Sequence, residues 1–119
     1  MAQNDLKTKM TNIIVNGDVD ELIEYAMQLG QSLRKEELGR TQMRNIYGMV
    51  KTFETRRPRN YDQLKLLIPK LHYAAARESK LGDLVEALRV GIQLIDGQED
   101  RFRRFASFFE AVVAYHYGK

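Results

Sequence analysis

Apolar residues recur along most of the chain at spacings of three and four, the period of a helix that buries one face. No sustained two-residue alternation and no hairpin signal occurs. The pattern therefore predicts an all-α protein, a compact bundle of about five helices joined by short connections. The predicted inward-facing residues are, helix by helix, Val19, Leu22, Ile23, Ala26 and Leu29; Met43, Ile46, Tyr47, Val50 and Phe53; Leu64, Leu67, Ile68, Leu71 and Ala75; Leu84, Val85, Leu88, Ile92 and Ile95; and Phe102, Phe105, Phe109, Val112 and Val113.

The pattern divides the chain in two. Residues 1–17 are mostly polar and are predicted to be a poorly ordered or short helical N-terminal segment, and residues 18–119 a single helical-bundle domain. A chain of 119 residues buries roughly 65% of its unfolded surface, which is enough for one core without disulfides or metals.

Helix boundaries are signalled by capping residues and by proline. Asp18 followed by Glu21 resembles a capping box that opens the first predicted helix. Thr41 is placed to cap the second predicted helix, and Asn60 to cap the third. Pro69 lies inside that helix, and it lacks the amide that would bond to the carbonyl of Lys65, so a kink is expected there.

A second capping box is expected at the fourth helix, where Asp83 precedes Glu86 by three residues.

Composition narrows the classes of function. The chain has no cysteine, which excludes disulfides and thiol chemistry and fits a reducing, cytoplasmic setting. No apolar run approaches the length of a membrane span. The net charge of +3 comes from 19 basic and 16 acidic residues, a mild excess that permits an anionic partner.

The residues that could carry catalysis are sparse. His72 and His116 lack a second ligand at metal-binding spacing, and no glycine-rich phosphate loop occurs. We therefore expect no catalytic residue, no metal site and no cofactor. A helical ribonuclease is kept as the third-ranked interpretation, below the RNA-binding protein and the adaptor described next.

Basic residues are aligned on two of the predicted helices. At about 100° per residue, Arg40, Arg44 and Lys51 share a stripe on the second helix, and Lys70 and Arg77 share a face of the third. Such stripes suit RNA phosphates, which are held by cations without base-reading groups. The competing interpretation is a protein–protein adaptor whose basic faces are merely solvated.

Two further basic clusters flank these stripes. Arg56, Arg57 and Arg59 lie in the loop after the second helix. The run from Arg101 to Arg104 starts the last helix, where the helix dipole disfavours cations, so its placement indicates a specific role.

Three blocks of sequence resemble one known family. They are RTQMRNIYGMV at 40–50, LIPKLHYAAAR at 67–77 and FFEAVVAYHYG at 108–118. Together they are similar to the small subunit of type III-A CRISPR effector complexes, the Csm type. The resemblance spans roughly residues 18–118, with Ala76 standing where many members carry glycine.

The resemblance implies a five-helix protein without catalytic activity that works in antiviral defence. Its implied partners are the target RNA and guide RNA, the backbone and large Cas10-type subunits of the complex, and other copies of itself. Carried over by motif, the RNA-binding residues are Arg40, Arg44, Lys51, Lys70 and Arg77. Phe108 and Leu66 are expected to be exposed apolar groups, with Phe108 packing against another copy or subunit.

Overall fold

The computed structural model describes the backbone of residues 2–34 and 40–117, and the side chains of residues 5–33 and 41–117. The α-helices are α1 Ala2–Met10, α2 Val19–Arg34, α3 Arg40–Thr55, α4 Tyr61–Lys65, α5 Leu67–Arg77, α6 Gly82–Ile95 and α7 Glu99–Tyr117. A π-helical turn, Thr11–Val15, follows α1, and a 3-10 turn, Ser79–Leu81, precedes α6. Within these ranges there is no strand, so the all-α prediction is confirmed.

The last helix, α7, lies at the centre of the core. Phe102, Phe105, Phe109 and Val112 have no exposed surface, because α2, α3 and α6 pack around α7. The ring of Phe53 from α3 meets that of Phe102 edge-on at 5.3 Å between centroids. Rings in this arrangement add a directional term to apolar burial, which orients α3 against α7.

Helices α2 and α7 approach each other closely at Gly30. A Cβ placed on Gly30 would lie 2.6 Å from the carbonyl oxygen of Val112 and 2.7 Å from Cβ of Tyr115. The absence of a side chain at Gly30 therefore sets the distance between the two backbones.

The N-terminal elements contribute to the same core. Met10, Ile13 and Ile14 are buried with at most 1% of their surface exposed. Arg104 of α7 donates hydrogen bonds of 3.1 Å to the carbonyls of Ile14 and Val15, which end the π-helical turn. The helical period extends into this segment, because apolar residues recur at spacings of three and four, at Leu6, Met10, Ile13 and Ile14.

The caps predicted at Asp18 and Asn60 are confirmed, whereas that at Thr41 is wrong because α3 already begins at Arg40. The carboxylate of Asp18 accepts the backbone N–H of Glu21 at 3.1 Å, and the side chain of Asn60 accepts that of Asp62 at 3.0 Å. Each satisfies a backbone donor that has no partner inside its helix.

The predicted cap at Asp83 is wrong. Helix α6 begins at Gly82 after a 3-10 turn, so Asp83 already lies inside its first turn. Glu86 pairs instead with Arg89, one turn further along, at 2.8 Å.

The kink predicted at Pro69 corresponds to a one-residue interruption between α4 and α5. Helix α4 ends at Lys65, Leu66 forms a turn, and Pro69 is the third residue of α5. In the first turn of a helix the missing amide costs nothing, whereas a continuous helix would have left the carbonyl of Lys65 without its partner.

Three predicted exposures are wrong. Val19 and Ile23 are 63% and 44% exposed. The apolar face of α2 is wider than the part of it that the neighbouring helices cover. Phe108 has no exposed surface and stacks on Tyr25 of α2 at 5.7 Å. Leu66, in contrast, is 57% exposed, as predicted.

In the part of the chain that the structure describes, no helix is long and apolar enough to cross a membrane.

Candidate nucleic-acid interface

A groove of about 560 Å³ runs between α3 on one side and α4 and α5 on the other, and we call it the α3–α5 groove. Its lining residues are Arg44, Asn45, Gly48, Met49, Thr52, Phe53, Arg56, Gln63, Leu64, Leu66, Leu67 and Lys70. Helix α5 follows α4 after the interruption at Leu66 and packs against α3, so both walls of the groove belong to the folded bundle.

Three cations converge on this groove from three separate elements. Arg44 comes from α3, Arg56 from the loop after α3, and Lys70 from α5. Among the described residues, no aspartate or glutamate lines the groove. Neighbouring like charges without a local counter-charge create a positive potential that attracts an anion.

Gly48 leaves the α3 wall of the groove low. A Cβ built on it would have no atom within 4 Å, so the site is open to a ligand. A second groove of about 440 Å³, between α3 and α7, shares Gly48 and Arg44 with the first. There the Arg44 guanidinium donates to the Tyr117 hydroxyl at 2.7 Å, so the charged end of Arg44 contacts α7 while its side chain lines both grooves.

The structure therefore brings together two of the five sequence-predicted site residues, Arg44 and Lys70. Lys51 lies outside the groove, 3.2 Å from the carboxylate of Glu54 and 5.8 Å from the ring centroid of Tyr47. The hydrogen bond to Glu54 raises the pKa of Lys51.

Arg77 and Arg40 complete the predicted set. Arg77 does not line the groove, and its guanidinium donates to the Tyr73 hydroxyl at 3.0 Å, which raises the pKa of Arg77. Arg40 is the first residue of α3, and its side chain lies outside the described residues.

Arg56 is a groove residue that the predicted site omitted. It belongs to the basic loop, but the spacing rule applies only within a helix and cannot place a loop residue beside one. The signal in the sequence was its position, because a residue that directly follows α3 lies at the end of any groove that α3 borders.

Most of the other arginines in the basic clusters bind the protein's own backbone, whereas Arg103 is exposed and pairs with the carboxylate of Glu99. Arg101 donates to the carbonyl of Leu94 near the end of α6 at 3.1 Å, and Arg104 binds the end of the π-helical turn, as described above. Arg57 donates to the carbonyl of Glu54 at 3.0 Å. Cations near the carbonyls that end a helix stabilise it, which accounts for basic residues at the start of α7.

The sequence model of the family Csm2 Type III-A matches residues 16–118, most of the chain. The chain belongs to the Csm2 type III-A family. Members of this family are small subunits of type III-A CRISPR effector complexes, so the resemblance seen in the three sequence blocks is confirmed. Comparisons with curated proteins and with solved structures give no match.

In this Csm2-family chain the two histidines occupy different environments. His72 is exposed on α5, whereas His116 is 4% exposed on α7, with its ring edge-on to Tyr117 at 5.1 Å. Within the described ranges, no three histidine, aspartate or glutamate side chains are grouped closely enough to hold a metal ion.

A polar cluster fixes the loop that carries Arg56. Glu99, the first residue of α7, accepts hydrogen bonds from the guanidinium of Arg59 and the hydroxyl of Tyr61. The Arg59 side chain is only 8% exposed and lies 4.7 Å from the ring centroid of Phe102. These bonds, led by that from Arg59, lower the pKa of Glu99 to about 2.

Replacing Glu99 with glutamine should destabilise this Csm2-family protein by about 1 kcal/mol at neutral pH, because charge-assisted hydrogen bonds are lost at a partly exposed site. The folded-state pKa of Glu99 is depressed from its ordinary 4.5, so its contribution is complete above pH 4.5 and is lost as the pH falls towards 2. Urea unfolding at several pH values should show the two proteins converging over that range.

The matched control is Asp100→Asn. Asp100 also lies in the first turn of α7, but its contact is an exposed 3.6 Å ion pair with Arg104. Asp100→Asn should lower the free energy of unfolding by less than Glu99→Gln does. Equal losses would assign both effects to the helix dipole and contradict a specific role for the Glu99 cluster.

Proposed function

We propose that this Csm2-family subunit binds RNA within the type III-A effector complex by holding phosphates in the α3–α5 groove. The observation that carries the proposal is the convergence of Arg44, Arg56 and Lys70 on one groove without a lining carboxylate among the described residues. Cations from three elements can follow a phosphate backbone more closely than a stripe on a single helix.

The proposed ligand is the target RNA as it pairs with the guide RNA. Phosphate contacts position a strand without reading its sequence, and base pairing with the guide would supply the specificity. The proposal includes contacts with the backbone and large Cas10-type subunits and with other copies of the chain, and a cytoplasmic location.

The proposed role is non-catalytic. His116 is enclosed in the core and His72 lies on the opposite side of α5 from Lys70, so neither is placed to act on a strand in the groove. The groove residues offer positive charge and hydrogen-bond donors, which hold phosphates without cleaving them.

One observation favours the adaptor as a second candidate. Another groove, of about 480 Å³ between α5 and α6, is lined largely by apolar groups, among them Ile68, Pro69 and Val85. Tyr73 is also 61% exposed on α5. These surfaces suit contact with another protein, and they lie apart from the α3–α5 groove, so the two functions are compatible.

The test compares effector complexes assembled with and without the subunit. Each phosphate contact to a single strand contributes about 0.7 to the slope of log affinity against log salt. Three groove cations should therefore steepen the slope for target RNA by roughly 2 for each copy engaged. The measurement is target-RNA affinity at several salt concentrations.

An adaptor without RNA contacts gives a different result. Omitting the subunit would then change how much complex assembles, while the complexes that do form would keep the same salt slope. That outcome would contradict the proposed function.

A further inference from the structure

We propose that the α3–α5 groove also accepts an unpaired base of the bound RNA strand, with the phosphates on its cationic rim. The inference rests on the proposed function and extends it from phosphate binding to base binding. It starts from a mismatch, since the groove contains groups for which a pure phosphate site has no use.

The first such group is an apolar floor. Met49 and Phe53 from α3 face Leu64 and Leu67 from α4 and α5 across the groove. Leu66, 57% exposed, stands at the edge. Phosphates gain nothing from apolar neighbours, whereas the face of a base is largely apolar and leaves water favourably on such a surface.

The second is a pair of carboxamides on opposite walls. Asn45 lies on α3 and Gln63 on α4, and both line the groove. Each side chain carries both a hydrogen-bond donor and an acceptor. Carboxamides therefore match the mixed edges of bases, and in an unpaired base those edges are free to bind them.

Shape and charge favour a nucleotide over the alternatives. A volume of about 560 Å³ falls in the range of small-ligand sites, and the open wall at Gly48 admits a flat group beside α3. A base inside a continuous duplex remains stacked on its neighbours and cannot enter such a groove. The three groove cations favour a nucleic-acid strand over a free base, because a strand carries a phosphate on each side of the inserted base.

The experiment fills the groove without changing its charge. Gly48→Leu adds a side chain where no atom lies within 4 Å, so the fold should persist, as circular dichroism would check. The full chain is titrated with a short single-stranded RNA and with a ribose–phosphate strand of equal length that lacks bases. We expect wild type to bind the RNA ~5-fold or more tightly than the baseless strand, the lower end of base-stacking effects.

In Gly48→Leu the ratio of the affinity for RNA to that for the baseless strand should fall to about one. The salt slope for each strand should stay as in wild type. Gly82→Leu is the matched control. Gly82 also has open space around it, but it lies at the start of α6 and lines the groove between α5 and α6. It should keep the wild-type preference.

Each other outcome overturns the base site in a recognisable way. Equal binding of both strands by wild type, with a steep salt slope, removes the base site and keeps the proposed function. A preference that survives in Gly48→Leu places the bases elsewhere. Binding of neither strand overturns the base site, while the salt slope of target-RNA binding by the assembled complex separately decides the proposed function.

Discussion

Gly30→Ala should destabilise the protein by about 3 kcal/mol and lower its melting temperature by roughly 10 °C. The added Cβ would lie 2.6 Å from the Val112 carbonyl oxygen, a backbone atom that no side-chain rotation can move. Relief requires α2 and α7 to separate, and that movement would loosen packing around the buried rings of Phe105 and Phe109. Thermal unfolding followed by circular dichroism measures the effect.

The control is the same substitution at Gly48. That residue also lies inside a helix, but a Cβ there meets no atom within 4 Å. Alanine should then stabilise the protein by about 0.5–1 kcal/mol, because glycine loses more backbone entropy on folding. If Gly30→Ala were as stable as Gly48→Ala, the close approach of α2 and α7 would not hold in solution.

The second large effect concerns RNA. Neutralising the groove with Arg44→Gln and Lys70→Gln should flatten the salt slope of target-RNA binding by roughly 1.4 and weaken binding roughly tenfold near physiological salt. The loss should be similar for different RNA sequences, since phosphates are common to all. Both side chains are exposed, so the bundle should stay folded. Affinity is measured in the assembled complex across a range of salt concentrations.

The matched control removes the same charge outside the groove, with Lys51→Gln and Arg77→Gln. Both are exposed, and each has a local partner, Glu54 and Tyr73 respectively. The two double variants carry the same net charge, so any difference reports position. Equal losses of RNA affinity in the two double variants would show that the RNA interface extends along both basic stripes. An unchanged salt slope in Arg44→Gln with Lys70→Gln would contradict the α3–α5 groove as the RNA site.

Much of the architecture follows from local pattern. The helical period identified α3, α6 and α7 with their buried faces, and the caps at Asp18 and Asn60 and the break before Pro69 are properties of a few neighbouring residues. The family was also identifiable from sequence, because three separate blocks occur in the family's order. Each of these signals is carried by the order of residues along the chain and requires no knowledge of contacts between helices.

The sequence alone determined that the chain is helical, that its cations align along two helices and that it belongs to the Csm2 family. Only the tertiary structure decided which surfaces are covered and which cations lie close together. Phe108 is buried because α2 places Tyr25 over it, and Arg104 serves the core because the π-helical turn presents its carbonyls there. Arg44 and Lys70 face one groove through the packing of α3 against α5. The physical reason is that helical period gives directions about one axis, whereas contact between groups on different helices depends on how those axes cross, which side-chain packing across the whole bundle sets.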